Sequence, residues 1–234
     1  MRIASRVSAS RTVRWGIPIC VVAALASWFW VRVVPGHRPD LRAGERFGID
    51  VSAHQGEVNW RAVADDGIEF AYIKATEGAD FVDPRFAVNW KAARDAGLDR
   101  GAYHFFTLCR PGAERAENFL RTVPEAGRAL PPAVDLEFGG NCAARPSAES
   151  LRRELRSFVD KVELATGSPV VVYVLEDFDA EYGRRRTLDR TFWVRHLFVR
   201  PPADDWYLWQ VSGRAEVLGI DGPVDLNVMG SRRV

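Results

Sequence analysis

From Phe47 onward the chain alternates between short apolar or β-branched runs and longer stretches in which apolar residues recur at helical spacing. Side chains repeat every two residues on a strand and about every 3.6 on a helix, so the two patterns separate strands from helices. Strands are expected at 47–52, 68–76, 98–106, 131–138, 169–176, 191–197, 205–211 and 222–229, with helices at 59–66, 84–96, 112–123 and 147–166. Asp83-Pro84 supplies a cap and first-turn proline and Gly97 a stop. In the longest helix Leu151, Leu155, Phe158, Val159 and Val162 form one apolar stripe, ended by Gly167. Eight strands with interposed helices predict an α/β fold, an irregular TIM-like β/α barrel over residues 47–234. The irregularity should lie at the last three strands, which have little helix between them.

The first 46 residues follow a different pattern. Arg2, Arg6, Arg11 and Arg14 precede an uncharged run from Trp15 to Val31. As a helix this run would reach roughly 26 Å, at about 1.5 Å per residue, close to the thickness of a bilayer core. Residues 1–14 therefore read as a basic cytoplasmic segment, 15–34 as a membrane-spanning signal anchor and 35–46, with Pro35, Gly36 and Pro39, as a linker. The expected location is the inner membrane, crossed once, with the barrel in the periplasm. Ala24-Leu25-Ala26 offers a cleavage site that would release a secreted form, but it leaves a short apolar region before it, and the retained anchor is the preferred reading. Cys20 reads as an apolar residue of the span.

Charge sharpens this division. The chain is at +1 overall, yet residues 1–46 hold eight arginines, no lysine and two acids, which leaves the barrel mildly acidic. No basic stripe marks a nucleic-acid surface, and a hydrophobic content of 47% excludes a disordered chain. Cys109 and Cys142 fall in loop-like stretches of an exported domain, where oxidation is permitted. They form a disulfide or stay as two thiols; their spacing does not decide.

The chemistry is carried by acids at strand ends. In Ala133-Val134-Asp135-Leu136-Glu137 the two acids are separated by one residue, so a strand puts both on one face. Like charges this close raise one pKa and create a proton donor beside a carboxylate, the pair that glycosidic cleavage requires. Asp50 on the first strand and Asp225 on the last add two more acids, and barrel closure makes those strands neighbours. Lys74 and Glu77 form an ion pair or touch substrate. Tyr103, Tyr173, Trp193 and Trp209 offer rings that stack on sugars or fill the core. A metal site from Asp50, His54 and His104 has no H-x-x-x-H or H-E-x-x-H helix behind it, so no metal or other cofactor is expected.

At these residues the sequence resembles the glycoside hydrolase family 25 lysozymes, the N-acetylmuramidases of the Chalaropsis type. The matching stretches are Gly48-Ile49-Asp50-Val51-Ser52, Ala71-Tyr72-Ile73-Lys74-Ala75-Thr76-Glu77-Gly78, Gly101-Ala102-Tyr103-His104-Phe105, Asp135-Leu136-Glu137, Trp209-Gln210 and Val224-Asp225-Leu226-Asn227. The resemblance implies an enzyme that cuts the β-1,4 bond between N-acetylmuramic acid and N-acetylglucosamine in peptidoglycan glycan strands, without a metal; a monomer is the expected state. It implies Glu137 as the acid, with Asp50, Asp135 and Asp225 as the other site carboxylates. The substrate's acetamido oxygen, oriented by Asp135, or an enzyme carboxylate then attacks the anomeric carbon. Three stretches depart from the family pattern: Ala53-His54-Gln55 where His-Trp-Gln is frequent, Trp193-Val194-Arg195-His196-Leu197 where Trp-x-Ala-x-Tyr is usual, and Met229 where Phe is common. Two competing readings remain, a catalytically silent wall-binding module and a metal-dependent deacetylase or amidase.

Overall fold

The computed structural model describes residues 21, 22, 28, 34–124, 129–183, 190–202 and 206–231. It divides into two units at His37/Arg38. Most of the stretch read as a membrane span lies outside the described residues. Among those described, no helix is long and apolar enough to cross a membrane.

In the larger unit the strands are β1 (Arg46–Val51), β2 (Phe70–Glu77), β3 (Phe81–Val82), β4 (Asp99–Phe105), β5 (Ala133–Leu136), β6 (Val171–Val174), β7 (Phe192–Arg195), β8 (Trp206–Ala215) and β9 (Val224–Met229). The helices are α1 (Trp60–Asp65), α2 (Phe86–Asp95), α3 (Gly112–Thr122), α4 (Ala148–Thr166) and α5 (Glu176–Tyr182). Strand order runs β1-β9-β8-β7-β6-β5-β4-β2-β3, and a further β1–β2 pairing closes an eight-stranded barrel with β3 outside it. Seven barrel strands run parallel, and β9 runs against both its neighbours, β1 and β8. The anticipated irregularity is therefore located: the closing strand is reversed, so its first residues lie at the end where the other strands finish.

Strand alternation sorts the side chains into two layers. Ile49, Ala71, Ile73, Ala102, Val134, Leu136, Val172 and Val174 belong to the larger apolar cluster, together with the α4 stripe of Leu151, Leu155, Phe158, Val159 and Val162. The intervening positions build a second cluster that includes Phe70, Tyr72, Ala133, Val171, Tyr173, Trp193, Tyr207 and Met229. These bulky rings fit inside the barrel because glycine stands opposite them: a Cβ at Gly48 would lie 2.3 Å from the Phe70 ring, and one at Gly101 2.5 Å from Tyr72. Gly167 closes α4 in the left-handed region at φ 66°, as a C-terminal stop requires.

Three local features depart from the sequence reading. Helix α2 starts at Phe86, two residues later than expected, with Arg85 at its N-cap position; the Asp83 carboxylate accepts from Arg85 N and Ala53 N, both at 2.8 Å, and ties the turn after β1 to the turn after β3. Strand β3 and helix α5 are too short for a periodic signal. The stretch read as a linker is tied to the barrel from Arg38 onward: Arg38 pairs with Asp66, and the nearly buried Glu45 pairs with Arg200 at 2.6 Å.

Candidate active site

The inward positions change character along the barrel axis. On β2 the order is Phe70, Tyr72, Lys74; on β4, Gly101 then Tyr103; on β5, Ala133 then Asp135; on β6, Val171 then Tyr173. Each strand thus runs from aromatic or small residues to polar ones at its C-terminal end, the face on which β/α barrels build their sites. Reversed β9 contributes its start, Asp225, and antiparallel register places this residue opposite Asp50. Asp50, Asp135, Glu137 and Asp225 are all half-buried and line one cleft of about 450 Å³. Lys74, Tyr103, Tyr173 and Trp193 line it as well. The structure thus gathers the four acids and four of the five other candidates.

Trp209 is the exception. It is fully buried, packs against Trp206 and donates from Nε1 to His196 O at 2.6 Å, so it lies in the core and does not line the cleft. Its neighbour Gln210 does, and accepts from the Tyr173 hydroxyl at 2.9 Å. A register shift between β7 and β8 at Phe192/Trp193 is the reason: a bulge changes which residues of β8 face inward, and alternation alone does not locate it. His104 likewise does not join Asp50 and His54. It sits on the outer face of β4, fully buried, bonded to Thr76 Oγ1 at 2.7 Å and stacked on Phe158.

Burial and mutual repulsion set the electrostatics. Asp50 is held well above the ordinary carboxylate range, first by desolvation and next by Asp225, against a hydrogen bond from Asn227. Asp135 is also raised well above that range, by desolvation and then by Glu137, with Lys74 opposing. Desolvation raises Glu137, while Arg195 and Lys74 pull it back. Asp225 rises to about 6, again mainly through desolvation. Crowding and burial thus favour protons shared among these acids, against the pull of two nearby cations.

Several residues support this cluster from behind. Asn227, fully buried, donates from Nδ2 to Asp50 Oδ2 at 2.7 Å and accepts from Trp193 Nε1 at 2.8 Å. Asn141 donates to the carbonyls of Glu137 at 2.9 Å and Phe106 at 3.0 Å, and accepts from Leu108 N at 2.8 Å, which locks the loop behind Glu137 to the one after β4. The Cys109–Cys142 disulfide joins the same two loops, with Cα atoms 6.3 Å apart. Lys74 is held by Glu77 at 2.8 Å and lies 4.9 Å from the Phe105 ring centre, fixing its charge beside Asp135. Arg195, from the departing Trp193–Leu197 stretch, places a second cation near Glu137 and Asp225.

Comparison with known proteins identifies the family. Residues 49–220 match the model of glycosyl hydrolases family 25, a span that contains Asp50, Asp135 and Glu137 and stops short of Asp225. Lysozyme M1 of Streptomyces globisporus is 34% identical over 198 residues, covering 77% of this chain and 66% of that protein. An uncharacterised Escherichia coli K12 protein, YegX, is 39% identical over 189 residues, covering 77% and 68%. Among solved structures, a family 25 glycosyl hydrolase from Bacillus anthracis superposes with TM-score 0.74 at 33% identity, covering 82% of this chain and 92% of that one. A bacterial lysozyme from Streptomyces coelicolor gives TM-score 0.71 at 32% identity, covering 80% and 92%. The chain belongs to glycosyl hydrolases family 25.

Proposed function

We propose that this protein is a muramidase that hydrolyses the β-1,4 bond between N-acetylmuramic acid and N-acetylglucosamine in peptidoglycan. The observation that carries this reading is the convergence of four carboxyls with raised pKa values on one sugar-sized cleft. Relatives named as lysozymes support peptidoglycan as the substrate class.

In the first step the substrate's acetamido oxygen attacks the anomeric carbon while the bond to the leaving oxygen breaks and Glu137 gives that oxygen its proton. In the second, water attacks the anomeric carbon, gives a proton back to Glu137, and the acetamido group is regenerated. Asp135 orients the acetamido N–H. Asp135 lines the cleft in which the sugar would lie. Asp50 and Asp225 stabilise positive charge at the anomeric centre, and Tyr103 and Tyr173 shape the cleft wall. The Arg-rich N-terminus and the uncharged run after it support a single-pass inner-membrane protein with its barrel in the periplasm.

Digestion of purified sacculi, borohydride reduction and separation of the products test the reading. New reducing ends at N-acetylmuramic acid are expected; ends at N-acetylglucosamine reject the assigned bond.

A further inference from the structure

A second cavity, of about 600 Å³, opens beside the cleft between the start of α5 and the end of β7. Glu176, Asp177, Ala180, Arg195, His196 and Leu197 form most of its wall. Arg195 stands between the two spaces. Its side chain lines the second cavity, while its charge acts on Glu137 and Asp225 in the first. Asp177, also on this wall, is close enough for its charge to raise Glu137 slightly.

The wall is amphoteric. Among the described residues no ion pair closes on the exposed Arg195 guanidinium, which leaves a planar two-pronged donor open to an incoming carboxylate. Glu176 and Asp177, both exposed, supply the opposite sign for an amine. Leu197 keeps 39% of its surface open and offers an apolar contact, and the His196 ring is fixed by its Nδ1 contact to Val199 O at 2.5 Å. A neutral sugar has no use for such a wall. A short peptide with a free carboxylate, an amine and aliphatic side chains does.

From this we infer that the second cavity receives the stem peptide attached to the lactyl group of the muramic residue being cut, so the preferred substrate is a peptide-bearing glycan strand. The inference rests on the muramidase reading and adds to it a recognition element outside the acid machinery. Peptide binding there lowers KM and leaves the chemical step unchanged.

The test compares sacculi with the same glycan strands stripped of peptide by an amidase, using the full chain and two variants. Ala180→Trp fills the cavity from an exposed helix position, and Glu176→Gln removes one charge at nearly constant volume. The unaltered protein should show a KM about tenfold lower for peptide-bearing strands, the loss expected for one good contact. Ala180→Trp should erase that preference by raising KM for peptide-bearing strands only, with kcat and thermal midpoint kept, and Glu176→Gln should erase part of it. Equal KM for both substrates in the unaltered protein, or a variant effect of the same size on both, overturns the inference and leaves the muramidase reading intact. Failure to cut either substrate overturns both.

Discussion

Asp50 on β1 stands opposite Asp225 on β9 across the antiparallel β1–β9 pair of the barrel. The pairing places two carboxyls side by side on the cleft floor, where burial and mutual repulsion raise Asp50. The Asn227 amide opposes this by donating to Asp50. The site is a place where the fold holds charge against its own stability, a pattern expected where acids are kept for chemistry.

The pH dependence of stability follows from Asp225. Its folded carboxyl titrates at about 6 against an ordinary 3.8, so between these values the folded chain holds more protons than the unfolded one. The stability contributed by this carboxyl is therefore fully present below the ordinary value and is lost as pH rises through about 6. Asp50 and Asp135, raised in the same direction, add to the loss. Asp225→Asn should be more stable than the unaltered protein at pH 7.5 by about 1 kcal/mol once solvent in the open cleft is allowed for, or about 2–4 °C in Tm. Thermal melts at pH 7.5 and pH 4 check this, and the gain should vanish at the lower pH.

Gly213 leaves room for the Asp225 carboxylate. A Cβ at this position would lie 3.1 Å from Asp225 Oδ1 and 3.9 Å from Arg195 Nη2. Gly213→Ala should lower kcat about tenfold or more by displacing a charge within the site, since small misplacements are costly in catalysis. Tm should hold or rise slightly, because alanine restricts the unfolded chain. A parallel fall in kcat and Tm would point to general damage.

Asn227 bridges Trp193 to Asp50 through its side-chain amide. Asn227→Leu keeps the branching of the side chain but leaves the buried Trp193 N–H without an acceptor and Asp50 without its donor. Denaturant unfolding should show a loss of about 1–3 kcal/mol at unchanged m-value. Activity should fall further than stability accounts for, because Asp50 would then shift higher still.

Much of the site is legible in the chain because strand alternation is a strict rule. Asp135 and Glu137 are two apart, and Asp50 and Asp225 become neighbours as soon as the barrel closes. The α4 stripe is equally plain, and all five of its residues are buried. What escapes the sequence depends on other physics. The place of Trp209 turns on a register shift, and that of Asp83 on a bond to Ala53 thirty residues away. Asn141 and Arg195 matter through the loops and charges that folding brings to them, and neither stands in a periodic pattern. Helix α5 is one such case: it rests on Phe178 and Tyr182, two buried residues one turn apart.

Glu137 as proton donor is tested most directly by Glu137→Gln assayed on purified sacculi for both turnover and co-sedimentation. The amide cannot give up a proton to the leaving oxygen, so turnover should fall by about 10²–10⁴-fold or more while the protein still sediments with sacculi as the unaltered chain does. Turnover within a few-fold of the unaltered protein would contradict the assignment and move the acid to another of the four carboxyls.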